Sequence, residues 1–186
     1  MFISQQKKEE NIAEYILYMW QIEDIIRSCN FSIDLIEKNV IEKFSSDAND
    51  KLKIKKWYVK LISSMIDESI KEKGHLEELS YIMYELSFLH NSLINIFQDK
   101  KYIELHNTAV PNIKAIQQRN EGSHSGDVES CLIGLYGMFL LQLKRKPISE
   151  ATTTAMKTFS KLMAYLSFKY KEMKTGELQL PAEIQN

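Results

Sequence analysis

The chain has 186 residues, 44% of them hydrophobic and 26% charged, which is the composition of a globular protein long enough to bury its own core. A formal charge of −1 gives no global attraction to nucleic acid or to anionic lipid, so neither nucleic acid nor membrane is expected as a partner. Six Gly and three Pro leave little turn-forming sequence, which predicts long helices and short connections.

Over residues 4 to about 30, the spacing of Ile12, Tyr15, Ile16, Met19, Ile22, Ile26 and Cys29 predicts one long helix with Ser4 as N-cap. A shorter helix, 33–44, carries Ile33, Ile36, Val40 and Phe44, and a polar loop follows it. The third, about 50–73, lines up Ile54, Tyr58, Leu61, Ile62, Met65 and Ile66, with Gly74 as the left-handed residue that stops it. The fourth, 76–97, presents Leu79, Ile82, Met83, Leu86, Leu89 and Leu93 on one side. Asp99 caps a fifth, about 100–120, in which Pro111 predicts a kink or break near Thr108.

The loop Asn120-Glu121-Gly122-Ser123-His124-Ser125-Gly126 leads into the helix on which the rest is expected to pack. Its run Cys131-Leu132-Ile133-Gly134-Leu135-Tyr136-Gly137-Met138-Phe139-Leu140-Leu141-Gln142-Leu143 is apolar on every side, the pattern of a buried helix. It is shorter than the roughly 18 apolar residues of a membrane span. Asp127 and Glu129 suit the positive end of its dipole, Lys144-Arg145-Lys146 the negative end, and Pro147 ends it. Ser149 caps a last helix that Gly176 closes. The expectation is an all-α, single-domain bundle (residues 1–176) of about seven helices around a central buried helix (127–146), with 177–186 as a tail.

Ionisable groups that interrupt apolar stripes mark the candidate chemistry: Glu23 on the first helix, His90 on the fourth and His106 on the fifth. A contact of Glu23 with His90 or His106 satisfies both partners, fixing helix register or, in an open pocket, binding a small ligand or metal, with Tyr18 or Tyr136 supplying a hydroxyl. The two Glu-x-x-His matches, Glu72…His75 and Glu121…His124, fail as helical ligand pairs because one contains Gly74 and the other lies in the loop. No metal and no cofactor is therefore expected. The basic, aromatic run 51–60 places Ile54 and Tyr58 on the core stripe, so its lysines form a solvated face rather than a nucleic-acid site. Leu17 and Trp20 project away from the stripe of their helix, which predicts an interface, with a homodimer as the expected partner. Cys29 and Cys131 sit in apolar helical contexts and the first residues have no apolar signal-peptide region, so a cytoplasmic location is expected.

The segment Asn11-Ile12-Ala13-Glu14-Tyr15-Ile16-Leu17-Tyr18-Met19-Trp20-Gln21-Ile22-Glu23-Asp24-Ile25-Ile26-Arg27 resembles the opening helix of an uncharacterised bacterial all-helical domain family of unknown function. Glu72-Lys73-Gly74-His75-Leu76 and Leu135-Tyr136-Gly137-Met138-Phe139-Leu140-Leu141 are similar to it as well. The resemblance implies a bacterial, cytoplasmic protein and no particular substrate. Two functions then stand as expectations: a non-catalytic helical interaction protein that self-associates near Leu17 and Trp20, or a small-ligand or metal-dependent activity around Glu23 with His90 or His106.

Overall fold

The computed structural model describes residues 2–44, 47–119 and 126–178, and the expected roles of Ser45, Ser46, the 120–125 loop and the 179–186 tail lie outside them. The described residues are all-α, with no strand. In chain order the helices are α1 (Phe2–Glu10), α2 (Ile12–Ser28), α3 (33–44), α4 (Ala48–Asp67), α5 (Glu77–Asn95), α6 (Lys100–Arg119), α7 (Asp127–Leu143) and α8 (Glu150–Thr175). No helix is long and apolar enough to cross a membrane among the described residues. Contacts divide the chain into two compact units, the first made of residues 1–9 and 14–81, the second of 10–13 and 82–186.

In the first unit, the core is built from α2 residues Tyr15, Ile16, Met19, Ile22 and Ile26 with Ile36, Ile41, Tyr58 and Met65, all nearly inaccessible. Ser4 is not an N-cap but lies within α1, because the chain is already helical from Phe2. Ser32 caps α3 by accepting from Leu35 N–H at 3.4 Å. Inside α3 the chain makes a π turn, Glu37–Ile41, which adds a residue to the repeat. Ile41 therefore follows Ile36 inward in place of Val40, which is half-buried; the side chain of Phe44 lies outside the described residues.

Asp47 caps α4 through Asp50 N–H at 2.9 Å. α4 ends at Asp67 rather than near 73, with Ser69 in the left-handed region (φ 59°). Gly74 (φ 95°) belongs to the following connection instead. The helix stops in a Schellman motif, with Ile70 N–H donating to Met65 O and Ser69 N–H to Ile66 O, both at 3.0 Å, and the Arg27 guanidinium then holds the connection by donating to Ile70 O at 3.2 Å and Gly74 O at 2.5 Å.

In the second unit, α6 packs against α7 and α8, and α7 against α8. Leu86, Leu89, Leu93, Tyr102, Ala109, Ile113, Val128, Cys131, Leu132, Phe159 and Leu166 are buried there. The expected first helix is interrupted at Asn11, and Ser167 Oγ from α8 accepts Ala13 N–H at 3.2 Å, satisfying a donor in the first turn of α2. Asp99 caps α6 through Tyr102 N–H at 2.9 Å. The helix then runs unbroken through Pro111, because both Pro111 and Asn107, whose carbonyl loses its i+4 donor, face solvent. Ser149 and Gly176 (φ 77°) bound α8 as the sequence predicts.

The expectation of a central, enclosed 127–146 helix needs correction. Only the first turns of α7 are buried, through Val128, Ser130, Cys131 and Leu132, and Leu143 at its end is 65% exposed. A Cβ on Gly134 would stand 2.7 Å from the Phe159 ring, so close contact with α8 exists at that level; at Gly137 nothing lies within 4 Å of the same position.

Candidate functional site

The second unit gathers a polar cluster where α5, α6 and the start of α7 meet. α5 turns Leu86, Leu89 and Leu93 inward, and His90 shares that side, which leaves its imidazole 7% exposed. Tyr102 and His106 stand four apart on α6, hence on one face, and Gln117 returns to that face three turns later. Asp127 is the first residue of α7, where a carboxylate is favoured by the helix dipole.

The side chains are tightly connected. His90 Nδ1 lies 2.7 Å from the Tyr102 hydroxyl, and its ring meets the His106 ring edge-on with centroids 4.9 Å apart. His106 Nε2 is 2.7 Å from Asp127 Oδ2, while Gln117 Nε2 donates to the other oxygen, Oδ1, at 3.1 Å. Donor atoms from His90, His106 and Asp127 all fall within 4.8 Å of one another. Burial, reinforced by His106, pushes the His90 imidazole down to about 4, against a slight opposing pull from Asp127. The hydrogen bond from His106 holds the Asp127 carboxyl below its ordinary range, with burial opposing and Gln117 assisting. At neutral pH the cluster thus offers a neutral imidazole and an ionised carboxylate side by side. Burial also raises the Tyr102 phenol, so Tyr102 stays protonated as a hydrogen-bonding group.

Glu23 belongs to a different constellation, in the first unit. It is fully buried, with Oε2 at 2.6 Å from His75 Nδ1 and Oε1 accepting Leu76 N–H at 2.9 Å. The expected contact of Glu23 with His90 or His106 is thus replaced by one with His75. The His75 ring stacks on Trp20 at a centroid distance of 4.6 Å and an interplanar angle of 17°. Together with Arg27, this set ties the 68–76 connection to α2.

Trp20 is correspondingly buried, at 5% exposure, and not part of an outer apolar face; Leu17 is half-buried. Of the two side chains expected to form an interface, Trp20 is covered within the chain, where the His75 ring folds over it. Tyr18 is half-buried, and burial raises its phenol. Tyr136 stacks on Phe139 along α7 at 6.0 Å, and the hydroxyl bonded to His90 is that of Tyr102. Of the residues singled out in the sequence, then, His90 and His106 come together. Tyr102, Gln117 and Asp127 belong to the His90 cluster and His75 to that of Glu23 without having been anticipated; the signal available for Tyr102 was its place one turn before His106, and for Asp127 its carboxylate at a helix start. Tyr58 is buried, Lys53, Lys56 and Lys60 on the same helix are exposed, and half-buried Lys55 pairs with Glu37 at 2.6 Å.

Residues 1–177 match a family model described as Domain of unknown function (DUF4924). No curated protein and no solved structure matches the chain.

Proposed function

The chain thus belongs to this domain family of unknown function, and we propose that it is a non-catalytic helical interaction protein that self-associates through the open apolar side of α7. One observation carries the reading: α7 is apolar on every side, yet none of residues 133–143 is fully buried. Leaving such surface in water costs about 25 cal/mol per Å² of apolar area. A second copy of the chain suits it. The open space at Gly137 lets another helix approach closely, and Ile133 and Leu141 stand one turn to either side. An antiparallel pair crossing at Gly137 brings the basic 144–146 end of one copy to the level of exposed Glu129 of the other, whereas parallel pairing would bring the basic ends together.

The eleven residues span about 16 Å, so one helix pair covers less than the roughly 800 Å² per partner of a standard interface. A dimer dissociating in the micromolar range is expected. Free, buried Cys29 and Cys131 support a reducing cytoplasm as its location, and the resemblance of the α2 segment supports a bacterial one. Light scattering over a wide concentration range tests the reading. Wild type should move from monomer to dimer, and Leu141→Glu should stay monomeric with an unchanged helical spectrum. A strict monomer at millimolar concentration would remove it, as would a dimer indifferent to both Ile133→Glu and Leu141→Glu.

A further inference from the structure

We propose that His90, His106 and Asp127 form a binding site for a divalent late first-row transition-metal ion, with Zn²⁺ as the reference case. The donor set fits that class. Two imidazole nitrogens with one carboxylate oxygen favour Zn²⁺, Co²⁺ or Ni²⁺ over Mg²⁺ and Ca²⁺, which take oxygen ligands.

The distances are near those needed. For bonds of about 2.0–2.1 Å, donors around a tetrahedral Zn²⁺ stand about 3.3 Å apart. His106 Nε2 and Asp127 Oδ2 are now 2.7 Å apart, and no pair among the three donors exceeds 4.8 Å. Capture needs the close pair to open by about half an ångström and the widest to close by no more than about 1.5 Å, shifts within reach of side-chain rotation.

The surrounding contacts orient the donors as metal sites do. The Tyr102 hydroxyl is bonded to Nδ1 of His90 at 2.7 Å, which fixes the orientation of that ring. Gln117 holds Oδ1 of Asp127 at 3.1 Å, leaving Oδ2 toward His106. A purely structural ion pair would need His106 and Asp127 alone; it gives no reason for a second, buried imidazole beside them. Three protein ligands leave a position for water or another ligand, and the Asp127 side chain, 31% exposed, marks the side from which it is reached.

The test uses the full chain, freed of metal with a chelator and titrated with Zn²⁺ by calorimetry and with Co²⁺ by absorption. The proposal expects one ion per chain, a raised melting temperature, and visible Co²⁺ bands of low-coordinate N/O ligation. His106→Ala and Asp127→Asn should each lower affinity by about 100-fold or more, and His75→Ala should not change it. Tyr102→Phe and Gln117→Ala keep all three donors and should weaken binding by about 10- to 100-fold, which guards against variants that merely fail to fold. Absence of saturable binding by the wild type overturns the proposal. So does binding that survives both His106→Ala and Asp127→Asn.

Discussion

The imidazole of His106 stands 2.7 Å from the carboxylate of Asp127, and this hydrogen bond is the main reason that the Asp127 carboxyl is held below its ordinary range. The contact joins the middle of α6 to the first residue of α7, so it fixes where α7 begins to pack. Asp127→Asn keeps the shape but removes the charge, and it should lower the stability of the metal-free protein by about 1–3 kcal/mol in denaturant unfolding. A double-mutant cycle with His106→Gln isolates the pair; a coupling near zero would mean that the contact carries no stability.

The depressed His90 imidazole makes stability depend on pH with a definite sign. Its ordinary value is 6.5 and its folded value is about 4, so the unfolded chain takes up the proton first. The associated stability is fully present above about 6.5 and is lost as pH falls toward 4, for a total of about 3 kcal/mol. Asp127, also depressed, acts in the same direction at still lower pH. Melting temperatures of the metal-free chain between pH 7 and 4 should therefore fall more steeply for the wild type than for His90→Gln. Parallel curves would show that His90 is not the group responsible.

Glu23 supplies a contrasting case, because both of its oxygens are engaged while the carboxylate is removed from water. Glu23→Gln can still accept Leu76 N–H, but it weakens the short contact to His75 and the hold on the 68–76 connection. A loss of about 1–3 kcal/mol is expected, with faster amide exchange in that connection. An unchanged exchange pattern would show that the connection is held by Arg27 and backbone bonds alone.

Helical periodicity made the all-α fold and most helix positions legible in the sequence, because amphipathic spacing is a local property of each segment. Three departures arose from interactions that periodicity does not encode. The π turn in α3 exchanged Val40 for Ile41, a left-handed Ser69 closed α4 before the connection that Arg27 holds, and Ser167 offered a side-chain acceptor to the start of α2. The candidate site was legible in part. His90 and His106 stood out as polar interruptions of apolar stripes, whereas Asp127 looked like an ordinary partner for a helix dipole. Glu-x-x-His spacing identifies ligands that share one helix, so it is blind to donors drawn from α5, α6 and α7. Trp20 was misplaced for a related reason: the ring that covers it belongs to His75, in a connection without periodicity.

The two glycines of α7 should respond in opposite ways to the same substitution. Gly134→Ala places a Cβ 2.7 Å from the Phe159 ring and 3.3 Å from Met156 Cε, so α7 and α8 must part or Phe159 must leave its position. A loss of about 1–3 kcal/mol follows from the overpacking, offset in part by the better helix propensity of Ala. Gly137→Ala meets nothing within 4 Å and should stabilise the chain by up to about 1 kcal/mol. If α7 pairs with a second copy at Gly137, a larger residue there behaves differently again. Gly137→Leu should leave the isolated chain folded, since a Cβ there meets nothing within 4 Å, while weakening the dimer by preventing close approach of the helices. Thermal melts at low concentration and light scattering at high concentration separate the two effects, and a dimer unaffected by Gly137→Leu would place the contact elsewhere on the surface.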